Sequence, residues 1–230
     1  MTREMTQEMT QEMTRRSVLR HCTALALASP ALRAMAALNT QSGQAAQVIV
    51  VVGDSLSAEY GLARGQGWVA LLDQRLAHDK VAATVVNASI SGDTTSGGRS
   101  RLPALLKQHR PTLVIIELGG NDALRGLPLS STRDNLVAMV RAAKAAGAKV
   151  LVVGMQVPPN YGRKYGDDFT ELFADVAKSE GASLVPFLLK GVADAPNAEA
   201  LFQPDRIHPI ATAHPTMLNN VWVVLQPMLR

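Results

Sequence analysis

Ser55, Asp205 and His208 are residue types that together can perform nucleophilic catalysis. A serine hydroxyl is a weak nucleophile at neutral pH and must lose its proton as it attacks. An imidazole titrates near neutrality and can take that proton, while a carboxylate on its other ring nitrogen fixes the tautomer. Asp205 stands three residues before His208 in Asp205-Arg206-Ile207-His208-Pro209, a spacing at which one loop can bring the carboxylate to Nδ1 and leave Nε2 facing Ser55. Ser, Asp, His is also one of the chain orders in which such triads occur. The tetrahedral intermediate of acyl transfer carries an oxyanion that needs preorganised donors. The backbone N–H groups of Ser55 and Gly92 and the side-chain amide of Asn121 are suitable, and glycine at 92 admits a close backbone approach without a Cβ. Each fragment has an ordinary reading too. Gly53-Asp54-Ser55, Ser91-Gly92-Asp93 and Gly119-Gly120-Asn121-Asp122 could be turns whose side chains cap backbone N–H groups, and Asp205-x-x-His208 a local hydrogen-bonded pair. It is their conjunction at one sheet edge that favours catalysis.

That edge follows from the elements between the fragments. Val48–Val52 is a β-branched run and reads as a buried strand ending at Gly53-Asp54-Ser55. Further strands are expected over 83–88, 112–118, 149–155 and 183–187. Helices are expected over 68–77, 95–108, 131–146, 167–180 and 212–229, the third capped by Ser131 or Thr132 and stopped by Gly147. Alternating strands and helices with apolar strands point to an α/β class, a parallel sheet covered on both faces. Open sheets of this kind place ligands beyond the C-terminal ends of the strands, where three of the four fragments fall.

The chain has 230 residues, enough for one well-buried domain and short for two. Its composition is globular, 47% apolar and 18% charged. The net charge of +4 comes from scattered basic residues, including Arg15, Arg16, Arg20 and Arg33 near the N-terminus, so a nucleic-acid partner is not expected. Cys22 is the single cysteine, which excludes an internal disulfide and a thiolate-rich metal site. Residues 1–36 read differently from the rest. A Met-Thr-x-Glu repeat, with Met1, Met5, Met9 and Met13 as possible starts, is too polar to bury a core and is expected to be disordered. From Met13 follow a basic stretch, the apolar run Thr23–Ala28 and a small-x-small site at Ala34-Met35-Ala36, the pattern of an export signal. Arg15-Arg16 fits the twin-arginine route and a Sec signal equally, and either exports the protein to the periplasm or beyond. Residues 37–230 are expected to form a single domain with no membrane span.

Gly53-Asp54-Ser55-Leu56, Gly92, Gly119-x-Asn121-Asp122 and Asp205-x-x-His208 resemble the four blocks of the SGNH (GDSL) hydrolases. Val86–Thr94, Leu102–Leu106, Glu117–Asp122 and Pro159-Asn160-Tyr161-Gly162-Arg163-x-Tyr165 are similar to the bacterial periplasmic thioesterase I/lysophospholipase/arylesterase group, over roughly residues 47 to 229. The resemblance implies a flavodoxin-like three-layer α/β/α fold with a five-stranded parallel sheet. It also implies an acyl-enzyme mechanism, no metal or organic cofactor, Ser55, Asp205 and His208 as the triad, and Ser55, Gly92 and Asn121 as the oxyanion hole.

The expected activity is hydrolysis of carboxylic esters, lysophospholipids or acyl thioesters by a monomer. Leu124, Val157, Pro158 and Tyr161 are candidates for an acyl groove, although loop leucines also serve as core anchors. A carbohydrate O-deacetylase would use the same triad. A silent lipid- or glycan-binding module is a rival from another class, as is a nucleotide-binding protein prompted by Gly65-x-Gly67-x-x-Ala70, a pattern lying too far beyond the first strand to form its turn. Asp54 and Asp122 are assigned to holding loops. Glu117 reads as a paired, semi-buried carboxylate, His214 as a partly exposed residue at a helix start, and His78 and His109 as surface residues.

Overall fold

The computed structural model describes residues 46–229. The polar repeat, the export signal with Cys22 and the proposed domain start at 37 lie outside the described residues. Five parallel strands form one sheet: β1 (Gln47–Gly53), β2 (Ala83–Asn87), β3 (Leu113–Glu117), β4 (Lys149–Val153) and β5 (Ser183–Val185). Their order is β2-β1-β3-β4-β5, the doubly wound arrangement expected from the alternating pattern. Ile49–Val52 and all of β3 are buried because both faces of the central strands are covered.

The helices are α1 (Trp68–His78), α2 (Thr95–His109), α3 (Gly120–Leu124), α4 (Leu129–Ala145), α5 (Arg163–Glu180) and α6 (His214–Leu225). α1 packs on α6, and α4 packs on both α2 and α5, giving two helical groups for the two faces of the sheet. Arg75 of α1 lies 4.3 Å over the ring of Trp222 in α6, a cation–π contact that joins the first pair.

Several boundaries differ from the sequence expectation. α4 begins at Leu129 behind Pro128, with Ser131 already inside its first turn, so neither Ser131 nor Thr132 caps it. Thr132 instead bonds Asp122 from a buried position. α5 begins four residues early, directly after Gly162, whose φ of 87° breaks the chain there. The closing helix is confined to His214–Leu225 between short 3₁₀ turns, since Pro215 and Pro227 remove N–H donors at both ends. β4 and β5 each stop two residues early, and the turn expected at Gly119–Asp122 closes into the helix α3.

β1 and β3 are neighbours whose onward connections run in opposite directions across the sheet. The crevice beyond their C-terminal ends is the topological switch point of such a fold, and the segments carrying Ser55 and Asn121 leave the sheet there.

Candidate active site

β1 ends at Gly53, and Ser57 N and Ala58 N both donate to the Asp54 carbonyl, closing a tight turn around Ser55. The Asp54 side chain braces it from within. Its Oδ1 accepts from Leu56 N at 3.0 Å, and its Oδ2 accepts from Asn121 Nδ2 at 2.9 Å. Burial pushes the Asp54 carboxyl up to about 6, against the pull of those two bonds. An amide carries two N–H groups. Asp54 takes one from Asn121.

Beneath the turn lies Glu117, fully buried at the end of β3. Its Oε2 accepts from Ser57 Oγ at 2.7 Å and from Asp54 N at 3.4 Å, while Trp68 Nε1 donates to Ser57 Oγ at 3.2 Å. Burial, then the neighbouring Asp54 charge, raises the Glu117 carboxyl well above its ordinary range. Glu117 is thus neither semi-buried nor paired with a cation. Gly53 stands beside it in the sheet register, and a Cβ at 53 would lie 2.9 Å from Glu117 Oε2 and 2.8 Å from Ser57 Cβ.

The loop after Phe202 carries Asp205 and His208. His208 Nε2 lies 2.8 Å from Ser55 Oγ, and His208 Nδ1 lies 2.7 Å from Asp205 Oδ2. A carboxylate can only accept, so Nδ1 carries the proton and Nε2 is free to accept from the serine hydroxyl. Asp205 Oδ1 also receives Ile207 N and His208 N, at 2.9 and 3.0 Å. Partial burial works to raise the Asp205 carboxyl, but these bonds to His208 and Ile207 hold it down at about 2. The Tyr60 ring stands 4.3 Å from the imidazole, tilted by 36°.

His214 is not the exposed residue expected from its position. It is buried, and its Nδ1 accepts from Trp68 N at 3.0 Å, tying the start of α6 to the start of α1. Burial lowers its pKa, with the Pro209 carbonyl acting the other way. His78 is on the surface, as expected, whereas His109 is half-buried. Asp122 accepts from Thr95 N at 2.8 Å and from the Thr95 and Thr132 hydroxyls, so α3 is stitched to α2 and α4. The N–H groups of Gly65 and Gly67 both point at the Glu59 carboxylate, at 3.0 and 2.7 Å. A side chain therefore occupies the place a phosphate would take in the nucleotide-binding reading.

Of the expected site residues, Ser55, Asp205 and His208 come together, with Asn121 bonded to the residue before the serine. Gly92 sits in the loop after β2 with φ of 79°, a left-handed conformation that favours glycine, and its carbonyl accepts from Arg125 Nη2 at 2.8 Å. Leu124 is exposed at the end of α3. Val157 and Pro158 line a cleft of about 490 Å³ between the loop after β4 and α5, and Tyr161 stacks on Tyr165 nearby. None of the Ser55, Asp205 and His208 trio lines that cleft. Sequence reasoning missed Ser57, Tyr60, Trp68, Arg101 and Arg125. Only Tyr60 left a trace, as an aromatic residue five positions after the serine in a turn. Among the described residues no cluster of three His, Cys, Asp or Glu side chains could hold a metal ion.

Comparison with known proteins identifies the family. Residues 51–214 match the GDSL-like lipase/acylhydrolase family. The chain is 52% identical over 185 residues to esterase TesA of Pseudomonas aeruginosa, covering 80% of this chain and 90% of that protein. It is 40% identical over 192 residues to thioesterase 1/protease 1/lysophospholipase L1 of Escherichia coli K12, covering 84% and 89%. A crystal structure of TesA superposes with a TM-score of 0.76 at 51% identity, covering 79% of this chain and 99% of the other. The chain belongs to the GDSL-like lipase/acylhydrolase family and is an esterase with the SGNH hydrolase fold.

Proposed function

We propose that the protein cleaves carboxylic esters, lysophospholipids and acyl thioesters through an acyl-enzyme on Ser55. The observation that carries this reading is the hydrogen-bonded series Ser55 Oγ, His208 Nε2, His208 Nδ1 and Asp205 Oδ2, at 2.8 and 2.7 Å. His208 takes the Oγ proton as Ser55 attacks the acyl carbon, and Asp205 stabilises the imidazolium. The oxyanion meets the N–H groups of Ser55 and Gly92 and the free N–H of Asn121. Collapse of the intermediate expels the alcohol or thiol, which takes the proton from His208. Water, deprotonated by the same imidazole, then releases the acid and restores the serine.

Apolar side chains support an acyl substrate. Tyr60, Ile90, Leu124 and Ile207 are exposed large apolar residues, each within five positions of Ser55, Gly92, Asn121 or His208. Exposed apolar side chains on the segments that carry these residues suit a hydrocarbon chain better than a sugar ring, which ranks lipid ester hydrolysis above carbohydrate O-deacetylation. Leu124 is assigned to this acyl contact, with Val157, Pro158 and Tyr161 as its extension along the loop after β4. The E. coli relative is named for thioester and lysophospholipid cleavage, and the same breadth is proposed here. The basic and apolar pattern before residue 37 supports export, and the protein is proposed to act as a monomer. Among the described residues no helix is long and apolar enough to cross a membrane.

The test is hydrolysis of p-nitrophenyl esters from acetate to palmitate by the purified protein and its Ser55→Ala variant. Turnover should vanish in the variant and extend to long chains in the parent. Acetate-only activity would favour the deacetylase, and full activity in Ser55→Ala would refute the assignment.

A further inference from the structure

Gly92 lies in a loop, and a loop alone does not fix how far its N–H stands from that of Ser55. Two arginines hold it from opposite sides. Arg101, on α2, reaches back under the loop. Its Nε donates to Asp93 Oδ2 at 2.8 Å, its Nη2 to the Gly53 carbonyl at 3.2 Å, and its Nη1 to the Ala88 carbonyl. The side chains of Arg101 and Asp93 keep only 20% and 12% of their exposure, so this ion pair is largely shielded from water. Ile90 N donates to the same Gly53 carbonyl at 3.0 Å, and Asp93 Oδ1 accepts from Thr94 N at the cap of α2. On the outer side Arg125 donates to the Gly92 carbonyl.

A guanidinium presents its donors in a rigid planar fork. One side chain therefore sets fixed separations among the carbonyl leading into the serine turn, the exit of β2 and the carboxylate next to Gly92. We propose that Arg101 is a positioning residue for ester hydrolysis: its guanidinium locks the Gly92 loop against the Ser55 turn and so sets the gap between two N–H donors of the oxyanion hole. Arg125 steadies the outer edge of the same loop. This inference rests on the oxyanion-hole reading given above. Among the described residues Arg101 bonds Gly53, Ala88 and Asp93 alone, so its loss is expected in the chemical step, where donor placement matters, and not in substrate binding.

The experiment compares the full chain with Arg101→Ala, Arg101→Lys, Arg125→Ala and Ser55→Ala on p-nitrophenyl butyrate. Competent sites are counted by end-point titration with a p-nitrophenyl phosphonate, in which the serine oxygen displaces p-nitrophenolate from phosphorus. In Arg101→Ala, kcat per titrated site should fall about 10²-fold with KM changed less than about threefold. Arg101→Lys should lose about tenfold, and added guanidinium ion should restore part of the turnover of Arg101→Ala. Arg125→Ala, which loses one exposed bond, should lose only about threefold. Unchanged kcat per titrated site would overturn the proposal, as would a loss seen only in the number of titratable sites, which would mark Arg101 as a fold-holding residue. If Arg101→Ala does not fold, the same readout on Arg101→Lys decides. An active Ser55→Ala would instead overturn the catalytic reading, whereas an inactive Ser55→Ala beside an unaffected Arg101→Ala removes the positioning role alone.

Discussion

The serine and the histidine of the candidate triad are held in place by opposite means. Ser55 sits on a turn propped by a dry polar cluster: Glu117, Ser57 and Trp68 below, and Asp54 within, all nearly inaccessible to water. His208 sits on a loop with an exposed Asp205, fixed by three bonds to a single carboxylate and by the face of Tyr60. In the first region position comes from burial, and the cost is two carboxyl groups whose protonation follows pH. In the second it comes from local hydrogen bonds to a carboxylate that stays ionised down to about 2. The buried cluster under Ser55 should therefore respond to mutation mainly in stability, and the carboxylate that holds His208 mainly in turnover.

Asp205→Asn should give the largest effect and break the contrast most clearly if it fails. The amide oxygen can still accept the backbone N–H groups, but the imidazole loses the partner that fixes its tautomer, so kcat should drop by about 10³–10⁴ while Tm changes little. A large loss of stability would show that the exposed loop is not locally determined. Glu117→Ala should do the reverse. Leaving Ser57 Oγ and Asp54 N without their acceptor and opening a cavity should destabilise the fold by about 2–4 kcal/mol, read by denaturant titration.

Glu117→Gln sharpens the same point through pH. Because the folded-state pKa lies above the unfolded value, the native state binds the extra proton. The associated stability is present in acid and lost as pH rises through the folded value, at up to about 1.4 kcal/mol per pH unit. Asp54, raised to about 6, contributes with the same sign. The Gln variant should lack the Glu117 part of this fall in stability with rising pH, whatever its absolute stability. Identical dependence of stability on pH in the two proteins would mean that folding does not raise the Glu117 carboxyl. The smallest effect is expected for Tyr60→Ala, where a lost ring contact of about 0.5–1.5 kcal/mol should lower kcat/KM by about two- to thirteenfold.

The strands were legible because β1 and β3 are apolar runs long enough to cross a buried sheet. The trio Ser55, Asp205 and His208 was legible because each stands at an element's edge in a turn of recognisable composition. Helix starts were not, since Ser131 looks like a cap while Pro128 and Gly162 mark the real beginnings. The supporting residues were hidden for a different reason. Glu117 meets Ser57 across 60 positions, His214 meets Trp68 across 146, and Arg101 meets Gly53 across 48. No periodicity signals such pairs, and a lone charged or aromatic residue looks the same on a surface as in a buried network.

The close approach at Gly53 has a consequence for changing this enzyme. A methyl at 53 meets Glu117 and Ser57 at contact distances that real side chains do not tolerate, so positions 53, 57 and 117 constrain one another. A library randomised at 53 alone should return only glycine. Randomising 53 and 117 together, with a shorter acid or amide at 117, opens combinations that neither single library contains. The serine turn is then an epistatic unit, and reshaping it runs through paired substitutions at the C-terminal ends of two adjacent parallel strands.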